Sequence, residues 1–296
     1  MSLFAAPRSA ARPRRSALYV PGANARALEK AATLACDVVV IDLEDAVAPA
    51  SKAQARDNAV RALGAQFGHR EVVVRINGLA TQWGHDDVAA IAPLAPAAIL
   101  LPKVESAADV QDLAAVLRRS GGSSDLRIWA MIETPAAFFR LPEIADADPL
   151  MQAFVLGTTD LVADLRGRHT VDRAALLPLL ALAVCAARSR GLVALDGVHL
   201  KIDDEPGLLA SCRQGRDLGF DGKSVIHPSH IGPTNSVYGP AADELKRARQ
   251  RIEAFEAAVA SGTGMAVVEG ALVEALHVRE ARQLLELASA IEKLSG

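Results

Sequence analysis

The sequence predicts an α/β protein, a (β/α)8 (TIM) barrel with a C-terminal helical arm. Three observations predict it. Eight short apolar runs, each suited to a strand buried on both faces, alternate with helical segments. They recur roughly every 20–40 residues, the spacing of a barrel of about 250 residues. Polar side chains gather where the runs end: Glu44, Asp45, Arg75, Asn77, Lys103, Glu133 and Asp160. In a barrel all of these ring one mouth. An open doubly wound sheet is the runner-up. It usually carries a Gly-rich phosphate turn after its first strand, and Pro21-Gly22-Ala23-Asn24 is not GxGxxG.

The elements follow in order. Ala17–Val20 is the first strand, closed by Pro21-Gly22, and a helix starts at about Asn24, its N-cap, with Leu28 and Ala31 inward. The second strand, from Asp37 through β-branched residues, turns abruptly acidic at Asp42-Leu43-Glu44-Asp45. Lys52–Leu63 reads as a charged amphipathic helix, and Glu71–Gly78 as the third strand with Arg75 near its end. Ala97–Glu105 is the fourth strand, and Ala107–Arg119 the helix after it. The fifth ends in Glu133-Thr134-Pro135 and the sixth in Gly157-Thr158-Thr159-Asp160. A buried helix around 174–187 precedes the seventh strand, Leu192–Gly197; a helix around 209–218 precedes the eighth, Gly222–Pro228.

After Pro240 the pattern changes. Ala242–Ala260 is one long helix, Met265–Glu274 a small strand–turn–strand, and 278–294 a last helix. The expected organisation is a flexible arm over 1–15, a barrel over 16–240, and an extension over 241–296. That extension is too small to hold its own core, so it must dock on its barrel or on a neighbouring subunit. The arm carries Arg8, Arg12, Arg14 and Arg15 without an acid, as a transit peptide does, but the first strand leaves little room for a presequence.

Composition sets limits. The 296 residues are 51% hydrophobic with a net charge of −3, which gives no reason to expect a nucleic acid or an anionic membrane as partner. The longest apolar run is too short to span a bilayer and contains Pro178. Cys36, Cys185 and Cys212 form no CxxC pair, which argues against a disulfide framework and a zinc ribbon. A reducing, cytoplasmic location is expected.

Glu133 and Asp160 are the centre of the reading. Two carboxylates at neighbouring strand ends repel unless a cation or shared proton relieves them. Their oxygens suit a hard ion such as Mg²⁺, with Mn²⁺ an alternative; such an ion takes its other ligands from water and substrate. Glu44 and Asp45 are expected to orient water around it. Lys103 has two readings: a Schiff-base amine, or a structural cation held charged by Glu44, Asp45 and Glu133, the reading ranked higher. His227 and His230 have HxxH spacing, but Pro228 argues against a helix there and against zinc.

Seven ordered motifs carry a family resemblance: Val20-Pro21-Gly22, Ile41 to Pro49, Val74 to Gly78, Leu101-Pro102-Lys103, Met131 to Thr134, Leu156 to Leu161, and Gly219 to Lys223 with Ile226-His227-Pro228. From Ser16 on, the chain resembles the citrate lyase beta subunit-like CoA-ester lyases of the HpcH/HpaI aldolase superfamily. The resemblance implies a (β/α)8 barrel, Mg²⁺, a homotrimer, and cleavage or formation of a C–C bond between an acyl-CoA and a 2-oxo acid. It implies that Glu133 and Asp160 ligate the metal, that Arg75 is the substrate arginine, and that the backbone at Thr159 and Asp160 holds the oxo acid. Tyr19 and Lys30 match positions that meet CoA. Two residues depart from the pattern. Asn24 stands where an arginine near CoA is found, and Glu274 where a neighbouring subunit supplies a catalytic aspartate.

The expected activity is therefore that of a Mg²⁺-dependent C–C lyase acting on a 3-hydroxy-acyl-CoA such as malyl-, citramalyl- or citryl-CoA. Arg75 would stabilise an enolate oxygen, and Glu274 would move a proton. The alternatives are a class II-type pyruvate aldolase on a substrate without CoA, or a non-catalytic acyl-CoA-binding protein; a thioesterase side activity is a further option.

Overall fold

Branched residues favour extended backbone, and Val38, Val39, Val40 and Ile41 form strand β2 (Val38–Asp42) of the observed sheet. The computed structural model describes residues 12–295, with the side chain of Ser295 left out. Eight parallel strands close a barrel in sequence order: β1 (Ser16–Pro21), β2, β3 (Glu71–Arg75), β4 (Ala98–Leu101), β5 (Arg127–Ile132), β6 (Met151–Leu156), β7 (Val193–Asp196) and β8 (Gly222–Val225). β8 returns to β1 with Ala17 opposite Ser224. The predicted barrel is thus the observed fold.

The helices are α1 (Ala25–Ala31), α2 (Lys52–Leu63), α3 (Gly84–Ile91), α4 (Ala107–Arg119), α5 (Pro135–Phe138), α6 (Leu141–Ala145), α7 (Thr158–Asp164), α8 (Leu177–Ser189), α9 (Glu205–Leu218) and α10 (Ile231–Tyr238). Asn24 caps α1 as expected, accepting from the Ala27 N–H at 3.0 Å. Pro178 sits in the first turn of α8, where its missing N–H costs nothing. Helix α3 has no counterpart in the sequence reading; its buried apolar side chains are only Val88 and Ile91, too few to set a period.

Side chains alternate across each strand, which divides the core in two. Val39, Ile41, Val74, Ile99 and Ile128 face the helices. Val38, Val40, Val73, Leu100, Trp129 and Met131 belong to a second, interior cluster. Continuing the inward phase by two residues brings Asp42 after Val40, Arg75 after Val73 and Glu133 after Met131 to the upper end. The same phase places Glu71 at the lower end.

The lower end is closed by charge. Arg14 donates to both oxygens of Glu71 at 2.5 and 2.8 Å, and its guanidinium lies 5.6 Å from the Trp129 ring centre. Arg15 pairs with Asp37 at 2.7 Å. A Cβ on Gly222 would fall 1.9 Å from the Arg14 carbonyl oxygen, so only glycine lets this segment cross β8. Arg14 and Arg15 are therefore fixed on the barrel, although the reading of 1–15 placed them in a flexible arm; residues 1–11 of that arm lie outside the described residues.

The chain from Gly239 on belongs to a second compact unit. It holds α11 (Ala242–Ala260), an antiparallel hairpin of β9 (Ala266–Val268) and β10 (Ala271–Val273), and α12 (Ala275–Ser295). Arg282 of α12 pairs with Glu256 of α11 at 2.9 Å. No helix among the described residues is long and apolar enough to cross a membrane. The three cysteines are free.

Behind β7 and β8, Lys223 and Asp196 are wholly buried and 2.8 Å apart, and Arg173 reaches the same carboxylate at 2.8 Å. The arrangement predicts an asymmetry. Asp196→Ala strands two cations in a dry site and should lower stability by about 3–5 kcal/mol. Lys223→Met leaves Asp196 with Arg173 and should cost less than about 1.5 kcal/mol. Urea unfolding of the two variants measures the difference.

Candidate active site

The upper mouth is built from the ends of six strands. Arg75, the last residue of β3, donates Nε and Nη2 to the two oxygens of Asp42, both at 2.7 Å. Its Nη1 lies 2.9 Å from Glu44 Oε2, 3.7 Å from Asp45 and 3.6 Å from Met131 Sδ. The Tyr19 ring of β1 lies against the guanidinium, 5.2 Å from its carbon. Lys103 follows β4 with φ of 51°, a left-handed backbone unusual for a residue other than glycine. That conformation lets it serve two carboxylates. Its N–H donates to Glu133 at 2.8 Å, and its ammonium donates to Glu44 at 2.8 Å. The ammonium also lies 3.6 Å from Asp45 and 3.8 Å from Asp160.

These neighbours set the charges. Burial pushes the Glu133 carboxyl up to about 7 against the Lys103 N–H bond, and the negative Glu44 and Asp160 raise it further. Burial also raises Glu44, against Arg75 and Lys103. For Lys103, burial opposes the charge but Glu44 outweighs it, so the ammonium is held firmly protonated. A protonated amine does not form a Schiff base, which supports the structural reading of Lys103. Burial likewise opposes the Arg75 charge, and Asp42 more than restores it.

The donor chemistry fits Mg²⁺. Glu133 is only 1% exposed, one of its oxygens is bound to the Lys103 N–H, and its charge is unfavourable beside Glu44 and Asp160. A divalent cation on Glu133 and Asp160 would relieve that repulsion. Among the described residues, no group of three or more His, Cys, Asp and Glu side chains is placed to hold a metal. Glu133 and Asp160 would be the two protein ligands of such an ion, with water or substrate in its other positions. Gly157 permits the approach: a Cβ there would lie 2.3 Å from Glu133 Oε2.

The remaining residues divide. Thr159 is exposed and Asp160 half-buried at the start of α7, whose first N–H groups have no intrahelical acceptor. Lys30 is exposed at the last turn of α1. Tyr19, expected beside CoA, has its hydroxyl enclosed, and its ring contacts Arg75. Glu274 belongs to the second unit; its carboxylate is exposed, and its N–H donates to His277 Nδ1 at 3.0 Å. His227 bonds Ser229, and His230 faces the Ile202 carbonyl, so neither joins the carboxylates.

Sequence reasoning missed the role of Asp42, which it read only as the first acid of the stretch that ends the second strand. The inward phase of Val38 and Val40 was the available signal. It also missed Lys52, which donates to the carbonyls of Leu43 and Glu44, both at 2.8 Å, and so pins the acidic turn from behind. Nothing local distinguishes that lysine on a charged helix.

The raised Glu133 carboxyl predicts a pH dependence. Its ordinary value is 4.5, so between 4.5 and about 7 the folded protein holds a proton that the unfolded chain releases. Stability from this group is full below 4.5 and is lost as pH rises through about 7. In metal-free protein, wild type should lose on the order of 3 kcal/mol across that window relative to Glu133→Gln. Urea midpoints at several pH values measure it; parallel curves would refute it.

Comparison with known proteins agrees with this architecture. The family described as HpcH/HpaI aldolase/citrate lyase matches residues 15–228. A (3S)-malyl-CoA thioesterase of Cereibacter sphaeroides is 47% identical over 282 residues, covering 95% of this chain and 96% of the relative. Citrate lyase subunit beta of Escherichia coli is 36% identical, covering 96% and 95%. The crystal structure of protein CitE from Mycobacterium tuberculosis, in complex with magnesium, acetoacetate and coenzyme A, superposes with a TM-score of 0.78 at 33% identity, covering 95% and 99%. The barrel, its acidic mouth and these likenesses make the chain a member of the HpcH/HpaI aldolase/citrate lyase family.

Proposed function

We propose that this protein hydrolyses the thioester of a 3-hydroxy-acyl-CoA, malyl-CoA first among candidates, with Mg²⁺. The observation that carries the reading is one mouth holding a fixed cation, Arg75, beside two carboxylates suited to a hard ion. The 47% identity to a malyl-CoA thioesterase favours hydrolysis. Glu133 and Asp160 would hold the metal, which would supply positive charge for the oxygens of the acid end. Arg75 stabilises the oxyanion that forms when water adds to the thioester carbonyl. A general base takes the water proton, the C–S bond breaks, and the CoA thiolate leaves and is protonated. Lys103 keeps Glu44 and Asp45 from repelling an anionic substrate. Lys30, exposed on α1, would meet a phosphate of CoA.

Carbon–carbon cleavage, the activity expected from the sequence, is the second reading. Arg75 suits an enolate oxygen as well as a tetrahedral one, and citrate lyase subunit beta is 36% identical. Both readings have the chain act as a cytoplasmic homotrimer, with residues 241–296 docked on a neighbour. Support for that docking comes from Glu274, an exposed carboxylate with no bonding partner for its side chain among the described residues. In either reaction it would be the base that a neighbouring subunit supplies.

Malyl-CoA tests the reaction directly. With Mg²⁺, free thiol is expected without glyoxylate; acetyl-CoA and glyoxylate without thiol would establish the lyase reading instead. Neither product overturns both. Chelation should silence the protein and Mg²⁺ or Mn²⁺ restore it. Glu133→Gln and Asp160→Asn should each abolish turnover with the fold intact.

The shared site has its own test. Glu133→Gln subunits mixed with Glu274→Ala subunits should regain part of the activity. Verified hybrids with no recovery would exclude a base donated between subunits.

A further inference from the structure

Asp42 is almost wholly buried, and each of its oxygens is used twice. Oδ1 accepts from Arg75 Nε at 2.7 Å and from the Glu44 N–H at 2.9 Å. Oδ2 accepts from Arg75 Nη2 at 2.7 Å and from the Ala46 N–H at 3.2 Å. One carboxylate thereby fixes the plane of a guanidinium and the turn that carries Glu44 and Asp45. Two paired bonds define the orientation of a planar fork as a single bond does not. Tyr19 closes one face of that plane.

This leaves Nη1. It is 2.9 Å from Glu44 Oε2, yet that oxygen receives no directed hydrogen bond. Its other close neighbour is the weak acceptor Met131 Sδ. The other oxygen of Glu44 is already bound to Lys103 at 2.8 Å. Nη1 is therefore the guanidinium nitrogen that Asp42 does not hold, and its contact with Glu44 Oε2 is an ion pair without a directed hydrogen bond.

We propose that Asp42 is a positioning residue for the reaction: it turns Arg75 so that Nη1 meets the thioester carbonyl oxygen as charge develops there. This rests on the function proposed above. The carbonyl oxygen takes the place beside Nη1 that Glu44 Oε2 fills in this structure, and Glu44 stays on Lys103. Asp42 touches no substrate and acts only through Arg75 and the turn.

The test is a double-mutant cycle on malyl-CoA hydrolysis with wild type, Asp42→Asn, Arg75→Lys and the double variant. An asparagine presents an amide donor to a guanidinium edge or a backbone N–H, so the fork rotates. A displacement near 1 Å predicts a kcat loss on the order of 100-fold, with KM changed far less. The double variant should be no slower than Arg75→Lys, because Asp42 has nothing left to aim. Additive losses, or an unchanged kcat in Asp42→Asn, would overturn the positioning role while leaving the proposed activity standing. Inactive wild-type protein overturns the activity, and this role with it. Should Asp42→Asn fail to fold, Asp42→Glu in the same cycle keeps the charge and both acceptors but moves them by a methylene. Its loss should also vanish in the Arg75→Lys background, and a persisting loss would overturn the role.

Discussion

The ion pair between Asp42 and Arg75 is the interaction on which the upper mouth depends. Either charge alone would be costly inside a barrel lined by Val40, Val73, Leu100 and Met131. Together, at 2.7 Å and with two parallel bonds, they satisfy each other and leave spare hydrogen-bonding capacity. Asp42 uses its spare lone pairs to fold the turn behind it. The remaining nitrogen of Arg75, Nη1, lies against Glu44 and Met131. Lys52 supports the same turn from the helix side through two carbonyls. The acidic turn is thus held by buried cations and buried backbone bonds, not by surface contacts.

From that pair the electrostatics of the site follow. Glu44 is drawn between Arg75 and Lys103, and Lys103 in turn uses its left-handed backbone to give its N–H to Glu133. What remains unbalanced is Glu133 beside Asp160: burial raises the Glu133 carboxyl, and the negative Glu44 and Asp160 raise it further. A site short of positive charge at one defined place, surrounded by fixed donors, is suited to bind a hard cation. The left-handed backbone at Lys103, a non-glycine residue, is the kind of strain that persists at sites where function requires it.

The opposite end of the barrel solves a different problem with the same means. Glu71 shares the inward phase of Arg75, and Arg14 closes over it against Trp129. The two charged ends bracket an apolar middle. Arg75 and the carboxylates of the candidate site gather at the end where loops follow strands and side chains from different strands can converge.

The sequence by itself determined the barrel, because continuous apolar and β-branched runs are local properties that each strand displays alone. Val38 to Ile41 and Ala98 to Leu101 read as strands from composition and spacing, and the helices 107–119 and 242–260 from their periodicity. It also determined which residues end at the mouth, Arg75, Lys103, Glu133 and Asp160 among them. Their pairing was decided only by tertiary structure. Asp42 meets Arg75 because β2 and β3 align in one register, with these two residues opposite each other. Lys52 reaches back to the turn, and Arg14 reaches Glu71 across 57 positions in the chain. Such contacts depend on how strands twist and close, which no window of sequence records. Helix α3 escaped for the opposite reason: two buried apolar side chains carry too little period to read, and its place is set by the strands on either side.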